Sequence, residues 1–222
     1  ETGAFHYLRK LGVIDIGSNS VRMVIFDGAA RSPAYFFNEK ILCGLGSGLA
    51  HSGKLHAKGK LRAISAIERF VNLAEAMEVP QLSLIATAAV RSASDGLLFC
   101  DEIRRTTGKE INIIDGTEEA RLSAQGVMLG WPGAYGLVCD LGGSSMELAE
   151  INQGSVGKCL TSELGPLILK ELKGGKKNRK QHIKETMAKL ATKMGPQHNR
   201  LFLVGGSWRA FARIDMLRRG YP

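Results

Sequence analysis

Long apolar runs are what this 222-residue sequence most lacks. No stretch of about 20 apolar residues is present to cross a bilayer as a helix, and the opening stretch from Glu1 to Lys10 has no apolar centre of the kind a secretory signal carries. A cytoplasmic address without a membrane partner is therefore expected. Aromatic residues are scarce at 6% and form no stripe among the basic residues, so the stacking platform that single-stranded nucleic acids use is missing and nucleic acid is not an expected partner. Cysteine is also thin. Cys43, Cys100, Cys139 and Cys159 are far apart, with no C-x-x-C pair and no His at zinc-ligand spacing, which argues against a zinc site and for free thiols packed inside.

What is present suits a soluble α/β protein. The hydrophobic fraction of 44% and charged fraction of 23% are ordinary, and the length allows one large domain or two modest lobes. Lys and Arg outnumber Asp and Glu by 30 to 21, a net +9 that raises the local concentration of anions. The 27 glycines are unusual, and they cluster in turns.

Along the chain, Leu11 to Ile16, the turn Gly17-Ser18-Asn19-Ser20 and Val21 to Phe26 read as a β-hairpin. A strand from Ala34 to Leu42 follows, and glycines 44, 46, 48 and 53 then predict a mobile loop. Apolar residues at three-and-four spacing predict a helix within Leu55 to Glu78. Strand Leu82 to Ala86, helix Asp95 to Thr107, strand Ile111 to Ile114 and helix Thr117 to Met128 alternate after it, with Thr117 read as the helix cap. The pattern then starts over: strands Gly136 to Asp140, Met146 to Ile151 and Ser155 to Thr161 are followed by helices Pro166 to Leu172 and Gln181 to Met194. Strand Leu201 to Val204 and helix Ser207 to Leu217 end it.

Asp15-Ile16-Gly17-Ser18-Asn19-Ser20 is echoed by Asp140-Leu141-Gly142-Gly143-Ser144-Ser145 at the same place in the second half, which predicts a structural duplication. We place the lobe boundary at 121/122, giving lobes 1–121 and 122–222. The chain has no initiator Met and stops directly after a helical pattern, so it reads as a fragment of a longer protein.

Gly/Ser turns let successive backbone N–H groups converge into a concave nest for phosphate oxygens. Two such nests could clamp one phosphate chain; either alone is also an ordinary hairpin turn. Asp15 and Asp140 end apolar strands, where a carboxylate needs solvent, hydrogen bonds or a cation such as Mg²⁺. Glu118 and Glu119 open a helix, where acidic residues also simply favour the helix dipole. Glu147 is an acid inside an apolar strand. Arg91 follows small residues and could hold a phosphate through two parallel hydrogen bonds. The run Lys173, Lys176, Lys177, Arg179, Lys180 reads as a solvated loop, or as a guide for a long polyanion.

Several ordered blocks resemble the exopolyphosphatase and guanosine pentaphosphate phosphohydrolase (Ppx/GppA) family of the actin-like and sugar-kinase-like superfamily. They are 13–23 (VIDIGSNSVRM), 44–49 (GLGSGL), 87–91 (TAAVR), 116–122 (GTEEARL), 140–148 (DLGGSSMEL) and 204–210 (VGGSWRA). The resemblance implies a two-lobed α/β fold, ribonuclease H-like, with mixed sheets flanked by helices and a cleft between the lobes. It implies a catalytic carboxylate at Glu119, with Glu147 binding metal or water and Arg91 binding phosphate. Phosphate binding is expected at Gly17, Ser18, Asn19, Ser20, Gly142, Gly143, Ser144, Ser145, Gly205 and Gly206. An Mg²⁺ site would be served by Asp140, Glu147 and Asp15. The second turn has Gly-Gly-Ser-Ser where members often have Gly-Gly-Gly-Ser. Long members add C-terminal helical domains that extend the substrate channel and support a homodimer.

The expected activity is release of terminal orthophosphate from inorganic polyphosphate by Mg²⁺-assisted water attack. The alternatives are 5′-phosphate removal from guanosine pentaphosphate (pppGpp), and a non-catalytic sensor that binds polyphosphate or that alarmone. A small-molecule kinase is a further reading, against which the Glu-Glu-Ala-Arg block argues.

Overall fold

A computed structural model describes residues 9–28, 34–195 and 199–221. The N-terminal stretch read above for a signal lies largely outside them. The chain divides into two units, one up to Ile113 and one from Ile114 onward.

In the first unit, β1 (Leu11–Ile16), β2 (Ser20–Phe26) and β3 (Tyr35–Leu42) form an antiparallel meander. The segment after β3 holds a short helix, α1 (Leu49–Ser52), between Gly48 and Gly53, both at positive φ. It is not the free loop that its glycines predict. Cys43, Leu45, Leu49 and Leu55 are buried, and the N–H groups of Cys43 and Gly44 donate to the Asn19 carbonyl at 2.9 Å each.

Helix α2 (Ala57–Ala76) has the predicted periodicity: Ala63, Ala66, Ile67, Phe70, Val71 and Ala74 are all buried. Strand β4 (Gln81–Ala86) follows it, then α3 (Ala88–Ser92), α4 (Gly96–Thr107) and β5 (Ile111–Ile113). The sheet order is β3-β2-β1-β4-β5, with β1, β4 and β5 parallel. Ile14, Ile16, Met23, Ile25, Ile67, Phe70, Phe99 and Ile103 fill the space between sheet and helices. Each such side chain contributes about 2 kcal/mol by leaving water. Asp95, just before α4, does not cap its own helix; it accepts from the Leu55 N–H at 2.8 Å and from Lys60 Nζ at 3.2 Å, tying the α1 segment and α2 to α4.

The second unit opens with α5 (Gly116–Gly130), two residues earlier than Thr117 would allow as its cap. The cap is Asp115, whose carboxylate accepts the Glu118 N–H at 2.8 Å. Strands β6 (Gly136–Leu141), β7 (Met146–Asn152) and β8 (Ser155–Ser162) form a second antiparallel meander. Then come α6 (Pro166–Glu171), α7 (Gly175–Met194), β9 (Leu201–Val204) and α8 (Gly206–Arg218). Helix α7 starts six residues before the predicted Gln181, so most of the lysine run is helical rather than loop. The sheet order is β8-β7-β6-β9, with β9 parallel to β6.

The strand order β3-β2-β1-β4 of the first sheet therefore recurs as β8-β7-β6-β9 in the second, with β5 as the unmatched addition. The echoed turns also close alike: Gly17 N–H donates to the Ser20 carbonyl and Gly142 N–H to the Ser145 carbonyl, each at 3.0 Å. This is the duplication expected from the sequence. The division between units falls at 113/114 rather than 121/122, because α5 packs on β6, β7 and β8 of its own unit. Cys43 and Cys139 are buried and Cys100 and Cys159 half-buried, all as free thiols. Among the described residues, no helix is long and apolar enough to cross a membrane.

Candidate active site

Three of the expected residues, Glu119, Asp140 and Glu147, come together in the second unit. Antiparallel pairing of β6 with β7 sets Asp140 opposite Glu147, and pairing of β7 with β8 sets Glu147 opposite Thr161. Asp140, Glu147 and Thr161 thus form a row across three strands. Helix α5 crosses that row. Gly116 lies over Thr161, so closely that a Cβ on it would fall 2.6 Å from three Thr161 side-chain atoms. Glu119 is near enough to Glu147 to act on its charge, and the Ser123 hydroxyl donates to Asp140 Oδ2. Residues 116, 119 and 123 share one helix face at i, i+3 and i+7, so one stripe of α5 addresses the whole row.

Glu147 is the dry member of the row, with Asp140 half-buried and Thr161 exposed. Glu147 is 1% exposed; Thr161 Oγ1 donates to its Oε1 at 2.9 Å, and its Oε2 is buried without a hydrogen-bond partner among the described residues. Burial pushes the Glu147 carboxyl up to about 8. The Glu119 carboxylate adds to the rise, the Ser145 and Thr161 hydroxyls oppose it, and Asp140 adds a smaller push. Burial also raises Asp140, against the Ser123 hydrogen bond. Carboxyls held out of water at this cost are the setting in which a cation restores the charged form.

The glycine turn sits directly beside this row. Gly165, just before α6, passes so close that a Cβ there would be 2.2 Å from the Ser144 carbonyl carbon, and Leu167 N–H donates to the Gly143 carbonyl at 2.9 Å. Ser144 Oγ is buried without a partner among the described residues. On the other side, Gly205 has φ 110° and stands where a Cβ would meet the Leu141 carbonyl oxygen at 2.7 Å and Asp140 Oδ1 at 3.2 Å. It leads into α8, whose first-turn N–H groups have no side-chain cap. Gly142, Gly143, Ser144, Ser145, Gly205 and Gly206 therefore surround the end of β6 that carries Asp140.

The other expected residues belong to the first unit. Asp15 is exposed near the end of β1, in register with Arg22 of β2. The Gly17 to Ser20 turn is held from behind, with Gly46 N–H donating to the Ser18 carbonyl at 2.7 Å. Arg91 lies in α3, whose start is tied to the same strand end by Thr87 N–H donating to the Ile16 carbonyl at 3.3 Å. The first unit thus brings together Asp15, the turn and the helix bearing Arg91. Glu118, the other glutamate opening α5, is occupied elsewhere: Arg121 Nε donates to its Oε2 at 2.7 Å.

Ser123, Thr161, Gly116 and Gly165 were not singled out from sequence. Ser123 had a signal, standing seven residues from Gly116 on one face of a helix. Thr161 and Gly165 had none, because their partners are 14 to 45 residues away on other elements.

A divalent cation fits the second-unit cluster. Half-buried Asp140 and buried Glu147 are adjacent oxygen donors, and the Glu147 Oε2 lacks a partner among the described residues. Among the described residues no group of three or more His, Cys, Asp or Glu is gathered to hold a metal. Mg²⁺ takes one or two carboxylates and completes its shell with phosphate and water oxygens.

Two sheets of one strand order, each ending its central hairpin in a carboxylate and a Gly/Ser turn, define a duplicated α/β protein of the actin-like class. The family model described as the Ppx/GppA phosphatase family matches residues 13–222, and the chain belongs to that family.

Among curated proteins it is 32% identical over 143 residues to exopolyphosphatase 1 of Mycobacterium tuberculosis, covering 63% of this chain and 42% of that protein. It is also 32% identical over 151 residues to guanosine-5′-triphosphate,3′-diphosphate pyrophosphatase of Aliivibrio fischeri, covering 67% of this chain and 30% of that one. The chain thus spans less than half the length of these relatives. Among solved structures, an exopolyphosphatase from Cytophaga hutchinsonii superimposes with a TM-score of 0.85 at 23% identity, over 95% of this chain and 71% of that one. The Aquifex aeolicus Ppx/GppA family member gives 0.71 at 23% identity, over 89% and 66%.

Proposed function

We propose that this chain carries the hydrolytic centre of an exopolyphosphatase, releasing terminal orthophosphate from inorganic polyphosphate. The observation that carries this reading is the row of Asp140, Glu147 and Thr161 crossed by the Glu119 face of α5, with a glycine-lined turn beside it. The family assignment and the likeness to the mycobacterial exopolyphosphatase support it.

Glu119 is the general base, taking a proton from the water that attacks the terminal phosphorus. Asp140 and Glu147 would hold Mg²⁺, which when bound offsets phosphate charge and keeps both carboxyls ionised. The N–H groups of Gly143 to Ser145 and of Gly205 and Gly206 fix phosphate oxygens, Gly142 closes the turn through its own N–H to Ser145, and the α8 dipole adds positive potential. In the first unit, the Gly17 to Ser20 turn and Arg91 are assigned phosphate contacts, and Asp15 a role in cation binding. Positioning and charge stabilisation supply most of the acceleration in phosphoryl transfer.

Glu119→Gln should lower phosphate release by at least about a hundredfold, the usual share of a general base, while polyphosphate still binds. Unchanged turnover would remove Glu119 from the mechanism. Hydrolysis of pppGpp is the second reading, favoured by the likeness to the Aliivibrio enzyme. Comparing kcat/KM for the two substrates with and without Mg²⁺ decides between them.

A further inference from the structure

The positive charge of the molecule is concentrated on one element. Residues 170–193 contain nine Lys and Arg (Lys170, Lys173, Lys176, Lys177, Arg179, Lys180, Lys184, Lys189, Lys193) against Glu171 and Glu185. The segment therefore carries +7 of the chain's net +9. Most of it is α7, which is anchored at its far end, where Leu190 and Met194 enter a core with Met146, Leu148 and Leu164. The first half of α7 is solvent-facing. Lys176, Lys177, Lys180 and Lys184 are exposed, and Lys177, Lys180 and Lys184 share one face at i, i+3 and i+7. Glu185, the one acid within the helix, accepts from Gln181 Nε2 at 2.6 Å.

This arrangement works against helix stability. Cations in the opening turns face the positive end of the helix dipole, and like charges one turn apart repel. The first turn has no acidic residue and no side-chain cap. A polyanion lying along the helix removes both costs. The position also suits the site: α6 begins at the Ser144 turn, through Gly165 and the Leu167 N–H, and its six residues, the last two already in the basic segment, span about 9 Å.

We propose that the exposed basic face of α7, centred on Lys177, Lys180 and Lys184, is an exosite that binds the distal part of a long inorganic polyphosphate chain whose terminus occupies the glycine turn. The proposal rests on the polyphosphate reading above. A chain of phosphates is favoured over nucleic acid because residues 170–193 contain no Phe, Tyr or Trp on which a base could stack. It is favoured over a membrane because the apolar stripe of α7 continues into Leu190 and Met194 of the unit's own core.

The test compares the full chain with Lys177→Ala/Lys180→Ala/Lys184→Ala, alanine being the strongest helix former; circular dichroism verifies its fold, and the Gln triple replaces it if helicity falls. KM for polyphosphate of several hundred units should rise about tenfold, the effect of losing three surface charges, with kcat/KM for tripolyphosphate unchanged. An unchanged long-chain KM overturns the exosite and leaves the hydrolase reading standing. If the unaltered chain releases phosphate from no substrate, the hydrolase reading fails, and direct titration with long polyphosphate judges the exosite alone. Weaker binding by the triple variant supports it and equal binding overturns it. Tighter binding of single-stranded RNA than of polyphosphate at equal charge also overturns it.

Discussion

Glu147 is a side chain whose place is costly by itself. It is an acid inside an apolar strand, and its carboxyl is raised to about 8 from the ordinary 4.5. An acid whose value is raised on folding binds more protons folded than unfolded between those two values, so the fold loses stability as pH climbs from about 4.5 to about 8. With a chelator present, the urea midpoint should therefore fall from pH 5 to pH 8, and Glu147→Gln should flatten that slope. Added Mg²⁺ should raise the midpoint more at pH 8 than at pH 5, because only the ionised carboxylate is a good ligand. A midpoint that does not change with pH would show that Glu147 is already ionised at pH 5.

At the scale of elements, the second unit's site depends on three close approaches that only glycine permits. Gly116 lets α5 settle on Thr161, Gly205 lets α8 start beside Asp140, and Gly165 lets the start of α6 back the Ser144 turn. Gly165→Ala would place a carbon 2.2 Å from backbone, so the turn or α6 must shift. The expected cost is about 1–3 kcal/mol in stability, read as a lower thermal midpoint, together with loss of phosphate release. A variant with wild-type turnover would detach the turn's geometry from the chemistry.

At the scale of the whole molecule, the proposed polyphosphate substrate meeting a net charge of +9 makes encounter dependent on ionic strength. Raising salt from about 0.05 M to about 0.5 M shortens the screening length severalfold. KM for long polyphosphate should then rise while kcat stays constant, because the buried Glu147 carboxylate is poorly screened. A fall in kcat with unchanged KM would place the charge effect in the chemical step instead. The concentration of that charge on α7 makes it a directed field as well as a general one.

The sequence by itself determined the elements and their repetition. Alternating β-branched runs, glycine turns and three-and-four apolar spacing are local signals, and nearly every strand and helix lies within a few residues of where they put it. The echo of 15–20 in 140–145 foretold two sheets of one order, and the motif blocks named Glu119, Asp140 and Glu147. Local signals misjudged what neighbours in space decide. The α1 segment is held by buried Cys43, Leu45 and Leu49 despite its glycines, Asp115 caps α5 in place of Thr117, and the lysine run winds into α7. Only the tertiary structure set Asp140, Glu147 and Thr161 in one row under Gly116, Glu119 and Ser123. Strand register and helix crossing join residues far apart in the chain, and no local propensity encodes the distance between them.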